Sequence, residues 1–532
     1  MTASTARSAV RGAMTGLLVV LGAGLAVGAF FVLRYLGLWS EQDTSVFVRT
    51  TEGLIQAGSL TYQGAYTHGF AYPLWVATLA GFVGLPVAFL ISTVLPVVSG
   101  VLLAVTAYVA FSAMLGSRKW GTVAAGVLFL VPELVFTVMR GNHEKLTVSL
   151  TLLMATALLA GFLELSRTRR WRVFAGWVLV QYLSAFTLAS VNSFFGSSFI
   201  IAITLCLVFA LALVGLRRQR AVHVVPIVRR LVIVSAASWG VVALVLFFVY
   251  TPAADVLRTM ATAAERLTAL ALSLEPESDP YAVTARDWAN MGVYHALSSF
   301  RWVLLVTSFG WWLSLVIRAV REPERVPLHQ LYLIALFGAL GFQLAMAVPV
   351  DLVGLDAGSN LQVRLFTYFS VIAAPMFVSG LTAFLTTRRA RTAHRGAAAL
   401  VLSAAVVFGL ASLAKATLDP TVSNRWLFYR PAEVSAMHFW EERHSRQTLW
   451  TDPEGRLRYA YTMVHGDRSA STNTLDAWTV DPRATHALRS EVNAASAVAW
   501  RLPPSTLWTE NRTYDNGGAQ VFHRIPRTPF QR

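Results

Sequence analysis

Long apolar runs separated by short basic strips dominate the chain. Residues 16–31, 97–115 and 231–250 carry no full charge, and each is long enough to read as a membrane span rather than a core helix. Basic residues fall between such runs at Arg7 and Arg11, Arg118 and Lys119, Arg167–Arg172, Arg217–Arg230, Arg318–Arg325 and Arg388–Arg395. The connections between these strips hold far fewer cations. This alternation is the positive-inside signature, so the strips mark the cytoplasmic side. Placing them inside predicts about eleven transmembrane helices, with the N-terminus in the cytoplasm.

The spans are expected near residues 16–38, 89–115, 121–138 and 146–165, then as a hairpin around Asn192 and Gly196, with a seventh reaching Thr251. Four more follow, separated by residues 318–325 inside, 351–364 outside and 388–395 inside. Two large outer loops result, 39–87 and 252–299. In the second, Leu257, Met260, Ala264, Leu267, Ala271 and Leu274 repeat at three- and four-residue spacing, which predicts an amphipathic helix. Beyond residue 414 the composition turns polar. An odd span count puts residues 415–532 outside as a small α+β or α/β domain. A helix is expected at 431–443, a strand at 447–451, and a hairpin across Tyr514–Phe522 around Asn516-Gly-Gly.

Composition agrees with this class. Hydrophobic residues are 55% of the 532, charged residues only 14%, and the mean hydropathy is +0.55, whereas a soluble chain carries about a quarter charged residues. The net charge of +16 lies in membrane-flanking strips, which argues against a nucleic-acid partner and for orientation among membrane lipids. One cysteine, Cys206, can form neither a disulfide framework nor a thiolate metal site.

Charged groups at the outer ends of spans are the candidates for chemistry. Glu41 and Asp43 follow the first span. Arg140-Gly-Asn-His143-Glu144-Lys145 precedes the fourth, and Arg364 opens the tenth within Asn360-Leu-Gln-Val-Arg-Leu-Phe366. No cluster has metal-ligand spacing, so no cofactor is predicted and a divalent metal is unsupported.

The order of these features resembles the GT-C glycosyltransferases, polytopic enzymes that use polyprenyl-phosphate-linked sugars on the outer membrane face. A first span is followed by an acidic residue, the stretch Thr51-Glu-Gly-Leu-Ile-Gln-Ala-Gly58, and Gly69-Phe-Ala-Tyr72-Pro-Leu-Trp75 before the second span. The resemblance is detailed over roughly the first 170 residues. It implies that Asp43 is the catalytic base, with Glu41 as its rival because Gln42 separates the two, and that Glu144 orients the acceptor or, as in members using diphosphate donors, binds a metal. It also implies that Arg364, then Arg140, holds the lipid phosphate, with His143 and Tyr72 beside the substrate. The Trp-Trp-Asp motif of oligosaccharyltransferases is absent: Trp311-Trp312 is followed by Leu313. The expected partners are a polyprenyl-phosphate sugar and a glycan, lipid or protein acceptor, in an inverting transfer at the plasma membrane. The competing expectation is a secondary transporter or flippase of lipid-linked sugars.

Overall fold

The computed structural model describes residues 3–40, 42–60, 69–131, 140–167, 171–215, 221–245, 291–322, 325–352, 361–386, 427–444, 448–451, 456–465, 472–474, 484–492 and 511–523, with scattered positions in 134–138, 261–272 and 396–411. The helices are α1 (Ala3–Tyr35), α2 (Gln42–Ala57), α3 (Ala71–Val83), α4 (Val87–Leu115), α5 (Arg118–Leu128), α6 (Glu144–Arg167), α7 (Trp171–Val191), α8 (Ser193–Gly215), α9 (Ala221–Leu244), α10 (Met291–Arg321), α11 (Leu328–Leu352), α12 (Leu361–Thr386), α13 (Pro431–His444) and α14 (Arg456–His465).

Eight described helices are long and apolar enough to cross a membrane: α1, α4, α6, α7, α8, α10, α11 and α12. The chain is a multi-pass membrane protein. The expected third span corresponds to α5, which has only 11 residues, and the seventh to α9, whose apolar part is Val232–Leu244. Most of the eleventh, like most of the amphipathic helix expected at 257–274, lies outside the described residues.

The bundle core is apolar and depends on small residues where helices approach. A Cβ added to Gly24 of α1 would sit 2.3 Å from the Gly100 carbonyl oxygen of α4, and the reverse holds at Gly100. Without a hydrophobic force between helices in lipid, such close backbone contact supplies the packing attraction.

The segment 39–87, expected as the first large outer loop, contains the two helices α2 and α3. It begins with strand β1 (Trp39–Ser40), which pairs antiparallel with β2 (Leu427–Phe428) near the start of the polar tail. The pairing continues where the Tyr429 N–H donates to the Leu38 carbonyl, at 2.9 Å. Within α4, Leu90–Val94 widens into a π turn. Pro96 lacks the N–H that would reach the Ser92 carbonyl four residues back. The buried Trp39 indole N–H takes that acceptor instead, at 3.0 Å, so the loop is fastened to a defect in the span.

The tail contains β3 (Thr448–Thr451), β4 (Thr472–Thr474), β5 (Ala484–Ser490), β6 (Asn511–Asp515) and β7 (Ala519–His523). These form one sheet in the order β4-β3-β5-β7-β6, parallel on the β4-β3-β5 side and antiparallel on the other. The helix expected at 431–443 is α13, the strand at 447–451 is β3, and the hairpin at 514–522 is β6–β7. Gly517 turns the hairpin with φ +84°, a conformation glycine adopts without steric cost. The tail's apolar core includes Trp440, Tyr461, Leu488 and Val521 and runs on into Phe47, Tyr72, Val76 and Ile91 of the outer loop and α4. The tail therefore sits on α2, next to Asp43.

Candidate active site

Asp43 lies in the first turn of α2, a helix that packs beneath the tail through Phe47 and Val48. The loop 140–143 reaches it from the start of α6. Arg140 donates to the Asp43 Oδ2 at 2.5 Å and to the Glu144 Oε2 at 3.4 Å. The Asn142 amide adds a bond to the same Asp43 oxygen at 3.2 Å, and the Asn142 oxygen accepts the Glu144 N–H at 3.0 Å, capping α6. One guanidinium thus spans both acidic residues, with Asp43 about two-fifths exposed and Arg140 and Glu144 about one-fifth.

The loop is held from below. Gly141 donates to Thr44 Oγ1 at 2.9 Å, and the Tyr72 hydroxyl donates to the Gly141 carbonyl at 2.9 Å. A Cβ at Gly141 would lie 2.5 Å from side-chain carbons of both Ile91 and Thr44, so only glycine lets the loop approach this closely. Tyr72 is fully buried, and burial pushes its phenol well above the usual tyrosine range. His143 is buried too. The Asn192 amide, in the turn between α7 and α8, contacts its Nε2 at 2.7 Å, while Phe47 stands edge-on to the imidazole with centroids 5.3 Å apart. The Asn192 oxygen also accepts the Phe195 N–H at 3.0 Å, so this residue caps α8.

Arg364 enters from α12. Asp351 at the end of α11 accepts the Gln362 N–H at 2.8 Å and anchors the start of that helix. Partial burial pushes the Asp43 carboxyl up, but Arg140, Asn142, His143 and Arg364 together hold it below its ordinary value. Arg364 is exposed and close enough for its charge to be felt at Asp43. One turn further along α12, Tyr368 hydrogen-bonds Thr147 of α6. Arg301 of α10 lies over the Phe366 ring, 4.5 Å from its centroid.

Of the residues singled out from sequence, Asp43, Arg140, Glu144 and Arg364 gather at one end of the bundle. Tyr72 and His143 belong to the same cluster and are buried beneath the loop. Glu41 lies outside the described residues. Sequence reasoning passed over Asn142, Gly141, Asn192 and Arg301. Asn192 had a signal, a lone capping residue between two apolar runs; Arg301 had none, because its partner is far away in sequence. Among the described residues no group of three or more His, Cys, Asp or Glu gathers to hold a metal.

No family model matches the chain, and no curated protein matches it in sequence. Solved structures do. The Archaeoglobus fulgidus oligosaccharyltransferase in its apo form superimposes with a TM-score of 0.53 at 9% identity, covering 90% of this chain and 69% of that one. The oligosaccharyltransferase AglB from the same organism, in complex with an inhibitory peptide and a dolichol-phosphate, gives 0.53 at 11% identity, covering 98% and 75%. ArnT from Cupriavidus metallidurans bound to undecaprenyl phosphate is more distant, with a TM-score of 0.36 at 11% identity over 96% and 98% of the two chains. The likeness to the two oligosaccharyltransferase structures, which takes in the bundle, α2, α3 and the tail, gives this chain the GT-C-type fold.

Proposed function

We propose that the protein is a GT-C-type glycosyltransferase that moves a sugar from a polyprenyl-phosphate carrier to an extracytoplasmic acceptor with inversion at the anomeric carbon. The observation that carries this reading is the half-exposed, ionised Asp43 set among Arg140, Asn142 and the charge of Arg364 at one membrane end of a GT-C-type bundle. The oligosaccharyltransferase AglB, which shares the fold, is in complex with a dolichol-phosphate, which supports a lipid phosphate as the carrier here.

In the reaction the acceptor hydroxyl attacks the anomeric carbon as the bond from that carbon to the phosphate oxygen breaks, and the electron pair leaves with the lipid phosphate. Asp43 takes the acceptor proton. Its depressed pKa keeps it deprotonated at neutral pH. Arg140 must loosen its hold as the proton arrives, because the carboxylate surrenders the charge that made the pair. Arg364 offers forked donors to the growing phosphate charge. Glu144, tethered to Arg140 and to Asn142, lines the acceptor side. Tyr72 and His143 act beneath the loop, setting the height and tilt of Arg140 and Asn142.

The basic strips support a cytoplasmic N-terminus, with Asp43, Arg364 and the tail outside, in the plasma membrane. Transporters carry charges near the bilayer midplane, whereas the clustered charges here lie at helix ends. The test is transfer from a labelled polyprenyl-phosphate sugar in proteoliposomes containing the wild-type chain or D43N. We expect a glycosylated product from the wild type only. Counterflow of labelled substrate without any product would instead identify a transporter.

A further inference from the structure

At the opposite end of the bundle the helix ends leave a recess of about 150 Å³ between α4, α5, α10, α11 and α12. Its polar lining comes from Arg318, His329, Gln330 and Ser379, and its walls from the indoles of Trp120 and Trp311. Arg364 and Thr382, which also lines it, are 18 positions apart on α12, roughly 27 Å at 1.5 Å per residue. The recess is therefore separated from the Asp43 cluster by the full thickness of the membrane core.

The parts are arranged around Ser379. The Trp311 indole N–H donates to its hydroxyl oxygen at 3.2 Å, and the Gln330 amide lies 3.5 Å from the same atom. Gly380 makes room for Trp311, since a Cβ there would come within 2.9 Å of the ring. His329 lies against the αL residue Gly116, where a Cβ would stand 2.9 Å from the imidazole. Arg318 is exposed at the mouth, and among the described residues no carboxylate pairs with it; the nearby Glu322 pairs with Arg325 at 2.8 Å. A guanidinium, an imidazole and an amide thus line one small space.

Size and surroundings decide what fits. Sites that enclose a whole small molecule have volumes of about 300–1,000 Å³, so this recess takes a headgroup and leaves the remainder of its ligand outside. Outside, on the same helix ends, Leu313, Ile317, Val320 and Phe384 are 45–51% exposed, an apolar surface suited to acyl chains. We propose that this recess binds the phosphate headgroup of an anionic phospholipid in the leaflet opposite the Asp43 cluster, with Arg318 as the principal contact. Basic pockets between helices at the cytoplasmic surface are suited to such headgroups, each cation near the surface favouring an anionic lipid. This site is independent of the transferase reading and would stand if that reading fell.

The test uses the full chain in phosphatidylcholine nanodiscs with and without phosphatidylglycerol, released and weighed by native mass spectrometry. Wild type should keep phosphatidylglycerol in preference to phosphatidylcholine, and R318Q should keep about fivefold less. R321Q, one turn along the same strip but outside the recess, should behave as wild type. Q330A, which leaves every charge in place, should lose a smaller part of the lipid and covers the case of an unstable R318Q. Equal retention by wild type, R318Q and Q330A would overturn the proposal. So would an equal loss in R321Q, which would mean diffuse attraction to the basic strip. Displacement of the lipid by millimolar inorganic phosphate would show that the site takes free phosphate and overturn the lipid assignment.

Discussion

The two ends of the helix bundle handle charge in opposite ways. At the Asp43 end Asp43 and Glu144 share Arg140, Asn142 caps and bonds at once, and Arg364 adds a further cation within electrostatic reach. At the opposite end cations outnumber anions along Arg118, Lys119, Arg318 and Arg321. The first arrangement fixes geometry through mutual bonds and suits a step in which a proton moves and a phosphate leaves. The second leaves its cations to water and lipid and suits orientation and headgroup binding. Substitutions should therefore be costly and specific at the Asp43 end and mild at the opposite end.

The largest effect belongs to Asp43. D43N should lower transfer by 10²–10⁴-fold, the range for loss of a general base, while insertion and yield in the membrane stay unchanged; near-wild-type turnover would remove the base from this position. R364Q should follow, with kcat/KM falling about tenfold to a hundredfold as a charge-assisted contact to the leaving phosphate is lost. A change confined to KM would place Arg364 on the resting substrate and not on the departing charge.

R140Q tests the pairing through its pH profile. Asp43 is held below its ordinary pKa chiefly by Arg140 against the effect of burial, so wild-type activity should persist into mildly acidic buffer. Without Arg140 that carboxyl titrates higher, and the acid limb of the rate profile should move to higher pH. An unmoved limb would show that the pair does not govern the base.

A second pH effect lies in the tail. His486 of β5 is buried between His444 and His523, with ring centroids 4.2 and 4.9 Å away. Burial, then those two neighbours, pushes its pKa down to about 4. The unfolded chain, with histidine near 6.5, therefore binds more protons between those values, so this residue's contribution is complete above pH 6.5 and fades as pH falls toward 4. Melting curves should show acid destabilisation over that window, weakened in H486N.

The smallest expected effect is at Tyr72. Y72F leaves the buried Gly141 carbonyl without its donor and should cost about 1–3 kcal/mol of stability, with activity reduced only as far as the loop loosens. A loss as large as that of D43N would bring the phenol into the chemistry.

Much of the Asp43 end was legible because its logic is local. Apolar runs mark the spans, and Asp43, Arg140, Glu144 and Arg364 each stand next to the end of a run. Residues whose partners are remote were not legible in the same way. Tyr72 reads as an aromatic at the substrate, yet its hydroxyl meets a loop far along the chain, and His143 is turned inward by Asn192 from another hairpin. The π turn in α4 follows from Pro96, but nothing near it in sequence announces that Trp39 will occupy the stranded carbonyl. The tail showed its helix and hairpin, while the parallel pairing of β3 with β4 and β5 depends on crossovers that leave no periodic trace.

The short pairing of β1 with β2 ties a segment beside the first span to one that follows the last described span. During synthesis the early spans can enter the membrane long before their counterpart leaves the ribosome. The surroundings of Asp43 are therefore completed by a segment that follows every described span, so the packing of the tail on α2 can form only after β2 has been made.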